Sequence, residues 1–295
     1  MFRTIIINSG EKIKLKDNWL LVETEDGDKT VPIDNIYSVV LDNQNILLTS
    51  SVVNAITNNG GHIVLCDKKH MPTSEIFPIS NYYRPLTVQR NQLELSRDVK
   101  DEIWKRIVSE KIGNQGIVLA SCTGNTDVAK RLYELSGEII GDDINNCEGV
   151  AAKMFFRNMF GSDFIRMNDD SINSALNYGY AIIRSSVSKS LIGHGFNCVL
   201  GLHHINIYNP FNLSDDVMEP LRPLVDKWVS KNDSDLVDEL TKENRVSLAN
   251  IINEHVLING KQMQLRSAID VYVRTLSKAI ETETPDYLKI PRIIK

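Results

Sequence analysis

Cysteine is scarce in this sequence, and its few cysteines are not spaced as pairs. Cys66, Cys122, Cys147 and Cys198 lie far apart, and no two of them form a CxxC motif. This spacing argues against a zinc ribbon or a disulfide framework and favours reduced thiols in a cytosolic protein. Cys147 lies beside Glu148, which raises the question of a thiol nucleophile, but packing as a small apolar residue is the commoner role.

Long hydrophobic runs are absent as well. No segment approaches the roughly 18–20 consecutive apolar residues that a membrane-spanning helix needs. The opening MFRTIIINSGEKIKLK contains a short apolar run but no small-residue pattern for signal-peptide cleavage. We therefore expect a cytoplasmic protein that neither carries a signal peptide nor enters a membrane.

The sequence has no surplus of positive charge, because 38 Asp and Glu outnumber 33 Lys and Arg and give a formal net charge of −5. Proteins that neutralise many phosphates usually present a basic surface, so this balance counts mildly against a nucleic-acid partner. A local basic surface assembled across subunits is still compatible with it. P-loop and GxGxxG motifs are also absent, which removes support for nucleotide hydrolysis and dinucleotide redox chemistry.

The first 48 residues consist of short β-branched or alternating segments, separated by turn sequences such as NSGE, EDGD and DNQN. Thr49 is an N-cap candidate for a helix over SVVNAIT, and HIVLCD returns to strand. These patterns predict a small N-terminal β domain over residues 1–75 with one helix inserted. Residues 71–85 hold three prolines, which favours a linker that we place at 76–86.

From Leu86 onward the apolar residues follow helical spacing. The sequence therefore predicts an α+β protein, with the small β domain followed by a larger all-helical domain over residues 87–295. The predicted helices cover 87–112, 114–122, 125–137, 145–160, 171–192, 214–231, 234–254 and 261–282. The tail TPDYLKIPRIIK is basic and broken by prolines, and is either a frayed terminus or a segment that docks on a partner chain.

The densest group of potential metal ligands lies between Gly201 and Asp226. His203 and His204 follow CVLGL, which we expect to be strand-like or extended, and adjacent side chains of an extended chain point in opposite directions. Only one of the two imidazoles is therefore expected to face a given site. A single histidine is usually structural, whereas a histidine pair ahead of an acidic helix favours both roles equally.

Three acids lie near the start of that predicted helix. Asp215 and Asp216 follow Ser214, a candidate N-cap, so the helix dipole alone explains them. Glu219 lies one turn later and can share a helix face with either aspartate. Because the dipole explains Glu219 less well, Glu219 is the better candidate ligand.

Glu148 is a further acidic candidate, on a predicted helix whose neighbouring positions Ala151, Ala152 and Phe155 are small or apolar. A carboxylate buried on such a face is costly unless a cation satisfies it. A capping-box variant formed by Asn145 and Glu148 explains the residue without chemistry, and on this segment alone it is the commoner explanation. Carboxylates with one imidazole suit Mg²⁺ or Mn²⁺, and a metal held in this way can polarise a scissile phosphodiester.

Four segments follow one another along the chain. They are the opening IIINSGEKIKLKDNWLLV, then EGVAAKMFF, ALNYGYAIIRS and GLHHINIYNPFNLSDDVMEPLRPLVD. In this the chain resembles the CRISPR-associated endonuclease family that acts as the integrase of spacer acquisition, and within it the type II subgroup. The resemblance covers essentially the whole chain. It implies an N-terminal β domain, a helical catalytic domain, and Mg²⁺ or Mn²⁺ held by Glu148, His204 and Glu219. Asp216 matches a second acidic position of some relatives, and His203 is not implied as a ligand.

The resemblance also implies the reaction and the partners. The 3′-hydroxyl of a prespacer DNA would attack a phosphodiester of the CRISPR repeat, and hydrolytic nicking would be the same chemistry with water. The implied partners are double-stranded DNA, a second copy of the chain in a homodimer, a small CRISPR-associated adaptation protein in a heterohexamer, and the RNA-guided effector nuclease of type II systems. Candidates for a basic DNA path are Arg84, Arg90, Arg157, Arg166, Arg184, Lys189 and Arg222.

Alternatives to this interpretation are weaker. Tyr178 and Tyr180 could stack on DNA, but core packing is more frequent at their helical spacing. A non-catalytic DNA-binding scaffold subunit would be expected to have lost a ligand, and the set Glu148, His204 and Glu219 is complete. A metal-dependent nuclease unrelated to CRISPR is disfavoured by the extent of the resemblance.

Overall fold

The structure is a computed structural model that describes residues 3–25, 27–78, 83–237 and 239–294. The chain divides into two compact units. The N-terminal unit falls within Met1–Asn81 and Thr241–Asn250, and the helical unit within Tyr82–Leu240 and Ile251–Lys295. In the described part of the chain, no helix is long and apolar enough to cross a membrane.

The helices are α1 (Ser50–Asn58), α2 (Pro85–Glu94), α3 (Arg97–Thr123), α4 (Thr126–Gly137), α5 (Cys147–Phe160), α6 (Ser171–Gly193), α7 (Asn212–Met218), α8 (Arg222–Lys231), α9 (Lys242–Ala249) and α10 (Leu265–Glu281). The strands are β1 (Arg3–Ile7), β2 (Lys12–Lys16), β3 (Trp19–Glu23), β4 (Lys29–Pro32), β5 (Ile36–Leu41), β6 (Leu47–Leu48), β7 (His62–Cys66), β8 (Pro72–Ile76), β9 (His255–Ile258), β10 (Lys261–Gln264) and β11 (Arg292–Ile293). These elements confirm the α+β fold class that the sequence predicts.

The N-terminal unit contains two sheets, with the strand orders β1-β5-β7-β8 and β4-β3-β2-β6. Strand β2 shows why the sequence pattern predicts them, since its alternating sequence KIKLK buries Ile13 completely and leaves the lysines more exposed. The turn from β2 to β3 places Asp17 and Asn18 at positive φ (49° and 62°), which suits a tight hairpin and residues that tolerate this conformation. Helix α1 lies between β6 and β7, and α9 also belongs to this unit.

Strand β8 was not predicted, because its sequence PTSEI lies in the proline-containing segment interpreted as a linker. It pairs antiparallel with β7, and Pro72 lies at its first position, on the outer strand of the sheet, where a missing N–H is tolerated. Within the predicted linker at 76–86, residues 79–82 lie outside the described residues. Helix α2 starts at Pro85, inside the same segment.

In the helical unit, the long helix α3 packs against α4, α5, α8 and the 3₁₀ turn Glu219–Leu221. The predicted break at Gly113 is wrong, because α3 runs through it. A glycine inside a helix costs about 1 kcal/mol relative to alanine, and the burial of neighbours such as Ile107 and Ile112 outweighs that cost. The predicted helix 87–112 is instead interrupted between α2 and α3, at Leu95 and Ser96.

Two further predicted helices are wrong in extent. The predicted helix 214–231 is divided into α7 and α8 by the 3₁₀ turn that contains Pro220, as expected for a residue that cannot donate a helical hydrogen bond. Within 234–254 the α-helix is limited to α9, which lies between the 3₁₀ turns Asp233–Asp235 and Asn250–Asn253. The segment is followed by a hairpin, β9–β10, whose turn is Asn259-Gly260 at φ 49° and 73°. The helical unit therefore also contains a small sheet with the strand order β10-β9-β11.

The C-terminal tail is held by its own unit, which differs from both sequence interpretations. Strand β11 pairs with β9, and Arg292 forms an ion pair with Glu110 at 2.8 Å. The backbone N–H of Ile293 donates to Asn114 Oδ1 at 2.9 Å. The tail is thus part of the packing around α3.

Candidate active site

Helix α3 forms one side of the site through residues that lie two turns apart. Trp104 stacks on the His203 ring with centroids 4.3 Å apart and planes 2° from parallel. It meets the His204 ring edge-on at 5.7 Å. Lys111, seven residues further along α3, lies on the same face of the helix. Both imidazoles therefore lie against Trp104, with their rings 5.7 Å apart and perpendicular. The expectation that they point in opposite directions is wrong, because the segment before them is a series of turns rather than an extended strand.

Glu148 and Glu219 converge on the ammonium group of Lys111. The Lys111 Nζ lies 2.5 Å from Glu148 Oε1, and it also forms an ion pair with Glu219 Oε2. The Lys111 side chain is 10% exposed, that of Glu219 5% and that of Glu148 28%. One buried cation therefore bridges two acids that are 71 residues apart in the sequence.

The start of α5 positions Glu148. Both oxygens of Asp143 accept hydrogen bonds from the helix start, from the backbone N–H of Cys147 at 2.8 Å and of Glu148 at 2.9 Å. Asn145 does not cap this helix, since its side chain bonds the backbone at Glu138 and Ile140 instead. The capping-box alternative is therefore wrong, and the Glu148 carboxylate is directed to Lys111. Cys147 is buried, and burial raises the pKa of its thiol, as expected of a packing residue.

The 3₁₀ turn between α7 and α8 positions Glu219. Asn114 on α3 donates from Nδ2 to the Pro220 carbonyl at 2.8 Å, which ties this turn to the helix that carries Lys111. Arg222 Nε donates to the second Glu219 oxygen, Oε1, at 2.7 Å. Both oxygens of Glu219 therefore interact with cationic side chains.

Asp216 fixes the position of His204. Its carboxylate is completely buried and lies 2.5 Å from His204 Nδ1. The same carboxylate accepts the backbone N–H groups of Leu202 at 2.6 Å, His203 at 3.1 Å and His204 at 3.1 Å. With Nδ1 bound to Asp216, the other ring nitrogen of His204, Nε2, is the one available to a ligand.

The interpretation of Asp216 as a helix-start acid is therefore wrong. Helix α7 begins at Asn212, two residues earlier than predicted, and Ser214 does not cap it but accepts a hydrogen bond from Ser188 at 2.9 Å. Asp215 lies in the first turn, as predicted, where Asn209 Nδ2 donates to it at 2.7 Å. Arg184 approaches Asp215 to 3.9 Å.

The electrostatics of the site follow from this geometry. Burial disfavours the charged form of Lys111, but the attraction of Glu219 and Glu148 outweighs it and raises the pKa of Lys111. For Glu219, burial opposes ionisation, and Arg222 and Lys111 overcome it and lower the pKa. The hydrogen bond to Asp216 raises the pKa of His204 against the effect of burial, and Glu219 adds to this by Coulombic attraction. His204 and Glu219 thus lie within electrostatic reach of each other.

A cavity of about 140 Å³ adjoins the two acids on the Glu219 side. Its polar lining includes Tyr180, whose hydroxyl donates to the buried Asp226. The guanidinium groups of Arg222 and Arg166 lie over the Tyr180 ring, at 4.7 and 5.4 Å from its centroid. Burial raises the pKa of Asp226 to about 7, although the hydrogen bond from Tyr180 and the nearby cations act to lower it.

The residues proposed for a DNA path have diverse surroundings. Arg84, Arg90 and Arg157 are exposed. Arg166 donates to Asn173 and Asn177, and Arg222 binds Glu219. Lys189 is partly buried, and burial lowers its pKa to about 7. Tyr178 and Tyr180 are buried, so the prediction of core packing is confirmed for both.

Sequence reasoning missed Lys111, Trp104 and Asp226. A signal for Lys111 was present, because it occupies an apolar helix face that Ile107, Val108 and Ile112 otherwise fill. A lysine on such a face requires an acidic partner. The sequence does not show which acids those are.

The donor set suits a divalent cation. Two carboxylates already converge on one cationic atom, and a buried carboxylate fixes one nitrogen of the His204 imidazole. A metal-binding histidine usually donates its other ring N–H to such a carboxylate. As the side chains stand, no three His, Cys, Asp or Glu residues among those described are arranged to hold a metal ion. The Lys111 ammonium, between Glu148 and Glu219, accounts for this arrangement.

Comparison with known proteins identifies the family. The family described as CRISPR associated protein Cas1 matches residues 4–249. A CRISPR-associated endonuclease Cas1 from Neisseria meningitidis is 34% identical over 99% of this chain and 97% of its own length. A second relative, from Pyrobaculum aerophilum, is 23% identical over 94% of this chain and 99% of its own. The chain belongs to the Cas1 family.

Solved structures agree on the fold. A Cas1 protein from Thermotoga maritima superposes with a TM-score of 0.75 at 17% identity, over 95% of this chain and 97% of the other. A casposase bound to its integration product gives a TM-score of 0.76 at 16% identity, over 100% of this chain and 96% of the other.

Proposed function

We propose that this protein is a divalent-metal-dependent DNA endonuclease and integrase of CRISPR adaptation, which joins the 3′-hydroxyl ends of prespacer DNA to the CRISPR repeat by transesterification. Membership of the Cas1 family supports the general role. The structural similarity to a casposase solved with its integration product supports integration in particular. The resemblance of the sequence motifs to the type II subgroup supports a place in a type II system.

The observation that carries the proposal is the convergence of Glu148 and Glu219 on a single cation position beside His204. These three residues would hold Mg²⁺ or Mn²⁺, which suit carboxylate oxygens with one imidazole. The bound metal would supply Lewis-acid activation of the attacking hydroxyl and neutralise charge on the phosphate.

The protein's own residues prepare this site. Asp216 holds His204 by its Nδ1, so that Nε2 keeps one orientation and one tautomer. Trp104 supports the neighbouring His203 ring from α3. Arg222 holds one oxygen of Glu219 and thereby orients the other. Preorganisation of this kind lowers the reorganisation needed during reaction.

The reaction conserves phosphodiester bonds. The 3′-oxygen of the prespacer forms a bond to a phosphorus atom of the repeat strand, and the bond from that phosphorus to the leaving 3′-oxygen breaks. The attacking hydroxyl loses its proton, and the leaving oxygen gains one. The chemistry needs no protein nucleophile, which agrees with the buried position of Cys147. Nicking replaces the attacking hydroxyl with water.

The proposed partners are double-stranded DNA, a second copy of the chain, a small adaptation protein that completes a heterohexamer, and the RNA-guided effector nuclease. One solved neighbour is a Cas6-RT-Cas1–Cas2 complex, with a TM-score of 0.75 at 17% identity over 100% of this chain and 36% of the other. One chain has a net charge of −5, which is unfavourable for binding DNA. In an assembly of several chains, basic side chains from different subunits can together line the path of the DNA.

A joining assay tests the proposal. The protein and its small partner are incubated with prespacer DNA, a repeat-bearing plasmid and Mn²⁺, and covalent products at the repeat boundary are sequenced. We expect joining by the wild type and by Glu94→Ala, an exposed acid on α2 that serves as a matched control. Glu148→Ala and His204→Ala should join at background level.

The other outcomes separate the alternatives. DNA binding without cleavage or joining by the wild type would favour a scaffold subunit. Degradation without joining would favour a general nuclease. Full activity of both Glu148→Ala and His204→Ala would refute the site assignment while leaving the integrase role intact.

A further inference from the structure

A cavity beside Lys111 can receive its ammonium group if a metal ion takes the position between Glu148 and Glu219. It lines the cavity of about 140 Å³ together with Gln115 and Asp226. Gln115 lies four residues further along α3, so its side chain is on the same helix face. The Gln115 Oε1 is buried and accepts no hydrogen bond from the described residues, and Gln115 as a whole is only 2% exposed. A buried acceptor without a donor is costly, so Gln115 offers a favourable partner to a donor that enters the cavity.

Resting on the metal site of the proposed function, we propose that Lys111 is a built-in counterion with two positions. In the metal-free protein its ammonium bridges Glu148 and Glu219. When a divalent cation binds these carboxylates, the ammonium moves into the cavity and donates to Gln115 Oε1, close to the Asp226 carboxylate. Lys111 therefore competes with the metal for the carboxylates, and Gln115 favours the metal-bound state.

The charges around Lys111 support this exchange. In the metal-free arrangement, Lys111 and Arg222 match the negative charges of Glu148 and Glu219. A divalent cation added to that balanced group would be repelled by an ammonium held between the same oxygens. Movement of the ammonium towards Asp226, which already contributes to the Coulombic balance with Lys111, relieves the repulsion.

The contacts around Lys111 fix the backbone of α3 and leave the lysine side chain able to move. The backbone of α3 is tied down by Asn114, which bonds the carbonyls of Pro220 and Pro291 at 2.8 and 3.1 Å. The ammonium itself is at the end of a four-carbon stem, and the described residues hold it by ion pairs that a metal would replace. The proposed exchange is therefore a movement of the Lys111 side chain within the cavity that it lines, with the helix in place.

Mn²⁺ affinity, measured from the electron paramagnetic resonance signal of free Mn²⁺, tests the proposal without reference to activity. Lys111→Met should bind Mn²⁺ about tenfold more tightly than the wild type, because the competitor is gone. Lys111→Arg keeps the charge and should not show this gain. Lys105→Met, a change at another lysine of α3, should leave the affinity unchanged.

A double-mutant cycle tests the second position. Gln115→Met removes the acceptor at nearly constant length and should weaken Mn²⁺ binding by about two- to tenfold. In the Lys111→Met background the same change should have no effect, since no ammonium needs the acceptor. A Gln115 effect of equal size in both backgrounds would overturn the two-position arrangement.

Acylation of the wild-type protein covers the case in which Lys111→Met does not fold. Mass spectrometry should show that Mn²⁺ increases the modification of Lys111 relative to EDTA and leaves Lys105 unchanged. Mn²⁺ binding that is no tighter in Lys111→Met, or unchanged Lys111 labelling, would overturn this inference alone. Failure of the wild type to bind Mn²⁺ in a Glu148-dependent manner would overturn the metal site and the inference together.

Discussion

Each of the two units contains buried carboxylate groups held by basic side chains, and they differ in how completely those groups are engaged. In the N-terminal unit, Asp42 is 1% exposed and lies 2.6 Å from His70 Nδ1. Its other oxygen accepts from Arg245 Nε at 2.9 Å. One acid thus has a separate basic partner for each oxygen, and each partner comes from a different segment of the unit.

In the helical unit two acids, Glu148 and Glu219, share the ammonium of Lys111 beside a cavity, and Arg222 binds the second oxygen of Glu219. Since a buried ion pair often stabilises no more than a well-packed apolar alternative, neither arrangement is explained by stability alone. The Asp42 network joins α9 to the strands of its unit. The shared ammonium instead leaves two acids directed at a position that another cation can take. Buried acids that converge on one exchangeable cation indicate chemistry more clearly than buried acids with dedicated partners.

The largest expected effect on stability comes from Asp42→Ala. The change removes the buried carboxylate that binds Arg245 Nε and His70 Nδ1, which should lower the unfolding free energy of the N-terminal unit by about 3–5 kcal/mol. Peptide-resolved hydrogen exchange of β5 and β7 measures the loss. His70→Ala should cost far less, because that ring is 47% exposed. Equal costs for the two variants would contradict the view that the buried contact with Arg245, rather than the exposed contact with His70, dominates the contribution of Asp42.

Glu219→Gln should have the largest effect on chemistry. The amide preserves shape but removes the charge that a cation needs, so strand joining should fall about 100-fold or more. The same assay with Asp42→Asn, at a temperature where that variant is folded, should show activity within a few-fold of the wild type. Loss of joining in Asp42→Asn but not in Glu219→Gln would reverse the roles assigned to the two clusters.

Asp216→Asn tests the support of His204. An asparagine cannot hold both the loop N–H groups and the Nδ1–H of His204, so Mn²⁺ affinity should fall by about 10- to 100-fold, as it does when other residues that orient a metal-binding histidine are changed. Titration calorimetry measures the change. The neighbour Asp215→Asn is the matched control, because Asp215 contacts Asn209 and Arg184 rather than the imidazole. A larger loss in Asp215→Asn would contradict the assignment.

Asp226→Asn should give the smallest effect, and one that depends on pH. The pKa of Asp226 is raised to about 7 from 3.8, so its ionisation opposes folding. The wild type should therefore lose stability as the pH rises from about 4 to about 7 and lose no more from this group above that range. Asp226→Asn, which lacks the titration, should gain in melting temperature relative to the wild type at pH 8 compared with pH 5. A difference that is constant with pH would contradict the buried-acid description.

Local sequence patterns predicted much of the fold. The alternation of KIKLK and the apolar β5 segment IYSVVL identify strands because each residue's burial follows from its own position. Patterns failed where tertiary contacts decide the outcome. Strand β8 contains a proline and too few apolar residues to show an alternation, and it exists because β7 offers an edge. The β9–β10 hairpin lies within a sequence that also has helical spacing, and its pairing with the distant β11 favours the strand state.

The site could likewise be predicted only in part, because contacts between distant segments of the chain organise it. The sequence motifs that contain Glu148, His204 and Glu219 indicate that these residues are ligands. The residues that position them lie far away in the sequence. Lys111 reaches acids 37 and 108 residues away. The role of Asp216 depends on an irregular loop that brings three N–H groups to one carboxylate, and irregular backbone leaves no periodic signal.

A crystal structure grown with Mn²⁺, with the metal located by anomalous scattering, tests the assignment of the shared cation position most directly. We predict one peak enclosed by Glu148, Glu219 and His204, with the Lys111 ammonium moved towards Gln115. A peak elsewhere, or Mn²⁺ bound while Lys111 still bridges both carboxylates, would contradict it.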